Sequence, residues 1–314
     1  MILSGHRSAS RRDFLIGAGA VALSAGLNSS PCKASTTVHT VFQSPGTELL
    51  VVSDGHFFLP AAFLLSPDVP SAERKAILYD AAQPGDRFRM PANVAVIRRR
   101  SDLILIDSGY GSGAHDTAGK LAANLKSVGI DPVAVTKIVV THAHPDHLWG
   151  VSQGDALAFP NASYVISHAE WDFWMKPDLL SKLPEPLHRI AIGARQNLAR
   201  IGERITMIKP GEEIASGICA IDTAGHTPGH LSIEIAGGDG LIVTADALTH
   251  SAISFQHPAW RVPVDYAPER AIATRWHLLD RLAAHKTPIV GYHFPFPGWG
   301  RVERKDGAYR FVTA

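Results

Sequence analysis

Thr141-His-Ala-His-Pro-Asp-His147 follows Lys137-Ile-Val-Val140, a run that is typical of a buried β-strand. Three imidazoles and one carboxylate therefore lie within six residues, and no requirement of core packing explains that density. Neutral imidazole nitrogens and carboxylate oxygens suit divalent ions such as Zn²⁺, whereas the two cysteines of the chain are too few and too far apart for a thiolate site. The segment predicts a metal site at the end of a strand.

Three later segments offer further ligands at points where a strand-like run meets a turn. Together with the first segment they give seven candidate ligands, which are His142, His144, Asp146, His147, His226, Asp246 and His293. One four-coordinate zinc ion cannot use seven ligands, but two metal ions that share a carboxylate and a hydroxide can. The sequence therefore predicts two divalent ions. Zinc is favoured, and manganese, iron, cobalt and cadmium are the alternatives.

The order of these ligands resembles the metallo-β-lactamase superfamily, whose members carry His-x-His-x-Asp-His followed by a distant His, an Asp and a last His. The resemblance implies an α/β fold, a four-layer αββα sandwich with a dinuclear metal site at one edge of its two sheets. It implies that His142, His144 and His226 hold one ion, that Asp146, His147 and His293 hold the other, and that Asp246 bridges them. Asp107 matches a family position that supports the site from behind a ligating imidazole.

A closer resemblance is to the methyl parathion hydrolase branch of that superfamily. Segments that carry it include Lys120–Lys126, Leu157–Ala162 and Tyr309–Val312, and the similarity covers most of the chain from about Glu48 onward. It implies a dinuclear esterase-type hydrolase that is often a homodimer. We therefore expect a homodimer here.

Aromatic side chains near the predicted metal-bearing strand ends are candidates for a substrate pocket. Trp149 stands where many relatives have glycine, and Trp174 matches a family pocket position. The predicted pocket residues are Trp149, Trp171, Trp174, Phe255 and Phe294. Packing in the core or in a lid is the alternative for each, because aromatic residues fill both cores and pockets.

The predicted mechanism follows from two metal ions. Such a pair lowers the pKa of a shared water towards ~7, so a metal-bridging hydroxide would be the nucleophile. Asp146 and Asp246, which would hold the ions around it, are the predicted catalytic residues. One ion would polarise a carbonyl or phosphoryl oxygen, and the other would stabilise the leaving oxygen.

The predicted substrate is a small apolar ester, lactone or phosphotriester. The branch resemblance favours aryl esters or organophosphate triesters, and the alternative is a lactonase, acting on acyl-homoserine lactones or aryl lactones. A β-lactamase, a redox enzyme with iron in the same ligands and a metal-binding protein without turnover are weaker alternatives. The formal net charge of +1 gives no electrostatic footprint for nucleic acid.

The N-terminus resembles a twin-arginine signal. Ser10-Arg-Arg-Asp-Phe-Leu15 leads into a Gly/Ala-rich apolar run that ends near Leu27, too short to span a bilayer comfortably. We expect the twin-arginine export machinery of a bacterium to export the folded chain and residues 1–34 to be cleaved off, which leaves one hydrolase domain over residues 35–314 in the periplasm or medium. An uncleaved arm or membrane anchor is the alternative.

Periodicity predicts the elements around the site. Glu48–Leu59 is predicted as a hairpin with Asp54-Gly55 in its turn, and Asn93–Ile97 with Leu103–Ile106 as a second hairpin. The predicted helices are Ala114–Val128, Pro186–Arg200 and Pro268–His285, with a short one at Ser71–Tyr79. The insertion Pro60–Pro91 either covers the site or is a surface excursion. His230 lies in a turn that does not aim it at the metal of His226.

Overall fold

The structure is a computed structural model that describes residues 37–44, 47–80, 85–99, 102–113 and 115–314. The predicted export signal at residues 1–34 lies outside these residues. Among the helices described, none is both long enough and apolar enough to cross a membrane.

The described part of the chain contains sixteen strands and eight α-helices. The strands are β1 (Val38–Ser44), β2 (Thr47–Pro60), β3 (Arg87–Arg99), β4 (Asp102–Ile106), β5 (Lys137–Val139), β6 (Ser152–Gln153), β7 (Ala156–Leu157), β8 (Ser163–Ser167), β9 (Ile205–Ile208), β10 (Glu213–Ala215), β11 (Ile218–Asp222), β12 (Leu231–Ile235), β13 (Leu241–Val243), β14 (Ile289–Val290), β15 (Trp299–Lys305) and β16 (Ala308–Thr313). The helices are α1 (Ser71–Asp80), α2 (Leu121–Ser127), α3 (Pro145–Leu148), α4 (His168–Met175), α5 (Leu179–Lys182), α6 (His188–Ile201), α7 (Ile253–Gln256) and α8 (Pro268–His285).

Two seven-stranded sheets carry the fold. The first has the order β1-β2-β3-β4-β5-β8-β9 and is antiparallel from β1 to β4 and parallel from β4 to β9. The second runs in chain order from β10 to β16, with β13 and β14 as its parallel pair. The strands β6 and β7 form a separate small ribbon.

Apolar side chains from both sheets meet in one core. Val51 and Ile97 of the first sheet belong to the same buried cluster as Ile233 and Val243 of the second. The outer face of the first sheet packs on α2, α4 and α6, and the outer face of the second packs on α8. This arrangement confirms the predicted four-layer αββα sandwich.

The predicted hairpin at Glu48–Leu59 is wrong. These residues belong to the continuous strand β2, which pairs with β3 from Thr47 to Pro60 and has a register shift between Ser53 and Gly55. The buried Asp54 carboxylate accepts hydrogen bonds from the backbone N–H groups of Tyr110, Gly119 and Leu121 at 2.8, 3.1 and 2.7 Å. Distant hydrogen bonds thus turn a sequence typical of a hairpin into a bulge that anchors a loop.

The other predicted elements agree with the structure to different degrees. The β3–β4 hairpin and the helix at Pro268–His285 are confirmed. The predicted helix at Pro186–Arg200 begins later, at His188. The helix predicted at Ala114–Val128 is only Leu121–Ser127, because Gly119 has a positive φ of 74° and its N–H donates to Asp54.

Candidate metal centre

The seven predicted ligands follow strands of both sheets. The segment from His142 to His147 comes after β5, where Pro145 opens α3 and places Asp146 and His147 in its first turn. His226 follows β11, Asp246 follows β13, and His293 follows β14. All seven side chains are buried or nearly so. Because these strand ends lie at one edge of the sandwich, the side chains converge there.

The first group consists of three imidazoles. His144 Nδ1 lies 3.1 Å from His142 Nε2 and 3.0 Å from His226 Nε2. Burial and the neighbouring imidazoles hold the pKa of His142 well below its usual range and lower that of His144 to about 3. Both rings are therefore neutral at pH 7 and offer lone pairs, the form that binds a metal ion.

The second group contains a carboxylate between two imidazoles. Asp146 Oδ2 lies 3.4 Å from His147 Nε2 and 3.3 Å from His293 Nε2. Burial alone would lower the pKa of His293, but Asp246 and Asp146 raise it to about 10. A divalent ion that binds here must displace the proton that these carboxylates stabilise on the ring.

Asp246 faces both groups. Its Oδ1 lies 3.3 Å from His147 Nε2 and 3.3 Å from His293 Nε2, while its Oδ2 lies 3.4 Å from His226 Nε2. The residue before it, Ala245, has a φ of 43°, and the Asp246 N–H donates to His230 Nε2 at 3.1 Å. The carboxylate is therefore placed between the two groups, as a bridging ligand must be.

The donor set fits two divalent ions. Three overlapping groups have ligand atoms within 4.8 Å of one another: His142 with His144 and His226, Asp146 with His147 and His293, and His142 with His147 and Asp246. His147 Nε2 and Asp246 Oδ1 are buried without a hydrogen-bond partner among the described residues. Buried polar atoms are rarely left so, and a shared cation would satisfy both.

Hydrogen bonds fix the far side of several ligand rings. Asp107, whose φ of 69° is unusual for a residue other than glycine, accepts from His147 Nδ1 at 2.7 Å and from the Thr141 N–H at 2.8 Å. His293 Nδ1 donates to the Pro91 carbonyl at 2.7 Å. The structure thus places Asp107 where the family resemblance implied.

Three supporting residues were not predicted from the sequence. Asp265 accepts from His226 Nδ1 at 3.0 Å, Glu170 accepts from the Ala143 N–H at 2.9 Å, and His230 Nε2 accepts from the Asp246 N–H. No local pattern marks Asp265 or Glu170, because their partners are distant in sequence. His230 lies close to the ligands, as its ring is 5.0 Å from that of His142, but the structure uses it to hold the backbone.

A cavity of about 390 Å³ opens onto the ligands. Asp146, Asp246 and His293 form part of its wall, and the rest is mostly apolar. The apolar wall includes Phe57, Leu59, Phe63, Leu183, Leu187 and Ile190. Phe63 belongs to the insertion Pro60–Pro91, so that segment contributes to the cavity. Tyr110 and Tyr266 add two hydroxyl-bearing rings.

None of the five aromatic residues predicted for the pocket lines this cavity. Trp174 is fully buried, and its indole N–H donates to Glu170 at 2.6 Å. Phe255 and Phe294 pack on each other in the core outside the second sheet, with ring centroids 5.6 Å apart. Trp149 packs so closely on Gly193 of α6 that a Cβ there would lie 2.3 Å from its ring, and Trp171 packs on the outer core of the first sheet. Their apolar surface is used in packing, which corrects the prediction.

Solved structures with this fold include close matches. The hydrolase AbOPH of the β-lactamase superfamily has a TM-score of 0.82 and 29% identity, and the match covers 90% of this chain and 99% of that one. AidC, a dizinc quorum-quenching lactonase solved with a product, has a TM-score of 0.81 and 29% identity, with 88% and 97% coverage.

Sequence comparisons agree with these matches. An N-acyl homoserine lactonase of Bacillus thuringiensis is 24% identical over 232 residues, which are 67% of this chain and 83% of that protein. The uncharacterized protein YobT of Bacillus subtilis is 28% identical over 159 residues, and the match spans 50% of this chain and 62% of YobT. The family model of the metallo-β-lactamase superfamily matches residues 87–275. This match covers more than half of the chain, which therefore belongs to the metallo-β-lactamase superfamily.

Proposed function

We propose that this protein is a dinuclear metal-dependent hydrolase that opens lactones with an apolar side chain. The observation that carries the proposal is the cavity of about 390 Å³, whose apolar wall leads directly to the side chains of Asp146, Asp246 and His293. A lactone with a hydrocarbon substituent has matching parts, because its ester bond needs the ligands and its tail needs an apolar wall. The lactonases among the relatives support this choice.

The seven ligands would hold two divalent ions. His142, His144 and His226 would hold one divalent ion, Asp146, His147 and His293 the other, and Asp246 both. When bound, such ions activate water at neutral pH and polarise an ester carbonyl.

The cavity wall positions the substrate and limits access of bulk water. Phe57 and Ile190 offer apolar contacts to the tail of the substrate. Burial, together with the charge of Asp146, raises the pKa of Tyr110 to about 12. Its hydroxyl therefore keeps its proton at pH 7 and is available as a hydrogen-bond donor to a substrate oxygen in the cavity.

A second candidate is hydrolysis of aryl esters or organophosphate triesters. It is supported by the resemblance to the methyl parathion hydrolase branch, and the same ligands and apolar wall suit an aryl leaving group. The two candidates differ in the bond that is cleaved, so comparison of kcat/KM values decides between them.

The test combines metal analysis with kinetics on one purified sample. We expect about two metal ions per chain and the highest kcat/KM on lactones with a hydrocarbon tail, compared with p-nitrophenyl acetate and methyl paraoxon. An Asp246→Ala variant should lose turnover, whereas Asp222→Asn, at an exposed ion pair, should not. A higher kcat/KM on methyl paraoxon would favour the second candidate, and a metal-loaded protein without turnover would contradict both.

We also propose that the chain is exported by the twin-arginine route and forms a homodimer. The first proposal is supported by Arg11 and Arg12 ahead of a mild apolar run, and the second only by the branch resemblance. Replacement of both arginines by lysine should retain the protein in the cytoplasm of a bacterial host. Light scattering of the purified protein should give twice the chain mass.

A further inference from the structure

A buried ion pair lies behind the three-histidine group. Arg275 of α8 donates through Nη2 to Asp265 Oδ2 at 2.9 Å, and the two side chains are only 2% and 1% exposed. Ion pairs at such depth add little net stability compared with apolar packing, because both charges must leave water. The pair therefore calls for an explanation other than stability.

Arg275 also fixes the loop that carries Asp265. Its Nη1 donates to the carbonyl oxygens of Pro258 and Trp260, at 2.8 and 2.9 Å. One guanidinium on α8 thus binds the segment Pro258–Asp265 at three points. These contacts hold the Asp265 carboxylate in position.

The other oxygen of Asp265 meets a predicted metal ligand. His226 Nδ1 donates to Asp265 Oδ1 at 3.0 Å, and the Tyr266 N–H donates to the His226 carbonyl at 3.0 Å. The ring and the backbone of His226 are therefore both held by the same loop. Its remaining nitrogen, Nε2, faces His144 Nδ1 and the Asp246 carboxylate.

We propose that Asp265, anchored by Arg275, is a positioning residue that sets the affinity of the three-histidine group for its metal ion. Its hydrogen bond keeps the proton on Nδ1, orients the ring and makes Nε2 a stronger ligand. The inference rests on the metal centre of the proposed function and is independent of the substrate.

The effect is expected to be confined to one of the two ions. The second group has other supports, since His147 is held by Asp107 and His293 by the Pro91 carbonyl. Loss of Asp265 should therefore weaken binding at His142, His144 and His226 and leave the other group nearly unchanged.

The test is a titration of the apoprotein with Co²⁺, followed by visible absorption and by elemental analysis after dialysis. In Asp265→Asn we expect one of two sites to bind about 10- to 100-fold more weakly. Asp222→Asn is the matched control. Asp222 pairs at the exposed surface with Arg270, which lies on α8 as Arg275 does. Circular dichroism of each apoprotein would show whether the variant is folded.

A second variant separates positioning from charge compensation, since Asp265→Asn alone leaves the Arg275 charge buried and unpaired. In Asp265→Asn, Arg275→Met, that buried charge is gone. If Asp265 positions His226, the affinity of the weak site stays low in the double variant. Recovery of wild-type affinity in the double variant, or two sites of unchanged affinity in Asp265→Asn, would overturn this inference but not the proposed function. A wild-type protein that binds no Co²⁺ would overturn the proposed function with it.

Discussion

At the scale of single residues, Glu170 connects two ligand-bearing loops without being a ligand. Its buried carboxylate accepts from the N–H groups of Ala143 and Gly229, the Thr227 hydroxyl and the Trp174 indole, at 2.6 to 3.0 Å. Glu170→Gln keeps the shape but turns one acceptor oxygen into a donor that faces two donors. We expect the variant to lose about 2 kcal/mol of unfolding free energy, measured with urea on the metal-depleted protein.

The control for Glu170 is an exposed residue of the same type. Glu203 lies at the surface beyond α6, so Glu203→Gln should leave the urea midpoint unchanged. If Glu170→Gln unfolds at the wild-type midpoint, the four hydrogen bonds do not hold the loops together.

His250 makes stability depend on pH. Its Nδ1 accepts from the N–H groups of Ala252 and Ile253 at 3.2 and 3.3 Å, and burial together with the charge of His293 lowers its pKa from 6.5 to about 4. The pKa of His250 is lower in the folded than in the unfolded protein. Its contribution to the free energy of unfolding is therefore complete above pH 6.5 and is lost as the pH falls towards 4. The loss should reach about 3 kcal/mol.

A non-titrating variant isolates the contribution of His250. His250→Asn keeps an acceptor near the same donors but cannot take up a proton. Unfolding free energies of both proteins, measured from about pH 8 to about pH 4.5, should therefore converge as the pH falls. Parallel curves would show that the titration of this histidine does not contribute.

At the scale of elements, α6 contributes Ile190 to the apolar wall against which we propose that a substrate tail lies. Ile190 lines the cavity, whereas Ile192 of the same helix is 44% exposed and does not. Ile190→Trp should fill the apolar end and lower kcat/KM for long-chain lactones about tenfold, with little change for unsubstituted lactones. Ile192→Trp adds the same bulk outside the cavity and should change neither value. Equal losses on short and long substrates would show that the tail lies elsewhere.

Local sequence patterns predicted some elements correctly, whereas elements that depend on distant partners were predicted wrongly. Helix α8 was predicted correctly because its apolar stripe and Pro268 at its first turn are local signals. The hairpin turn predicted at Asp54-Gly55 is wrong, because Asp54 accepts hydrogen bonds from residues more than 50 positions away, which a local pattern does not reveal. Trp174 and Phe255 were predicted for the pocket but are buried in hydrophobic cores. Their aromatic character does not show which face of a sheet they cover. The ligand motif is more informative, since each member follows a strand and the ends of the strands meet.

At the scale of the whole molecule, the metal centre lies where the two sheets are joined by hydrogen bonds. The Tyr292 hydroxyl donates to the Asp146 carbonyl at 2.6 Å, and the Leu231 N–H donates to the Thr141 carbonyl at 3.1 Å. Asn93 of β3 donates to the carbonyl oxygens of Gly291 and Phe294 at 3.1 and 2.8 Å. The ligands continue this seam, because they too come from both sheets.

Metal removal should therefore lower the stability of the whole domain rather than of one loop. A site occupied at a free metal concentration about 100 times its Kd adds about 2.7 kcal/mol, so two sites correspond to a loss on the order of 10 °C in Tm after chelation. Calorimetry with and without chelator measures the shift. Asp246→Asn should show a much smaller one, because both ions lose a ligand while the rest of the seam stays. If chelation leaves the Tm of the loaded wild-type protein unchanged, the ligands are held by the sheets alone and the ions add no cross-link between them.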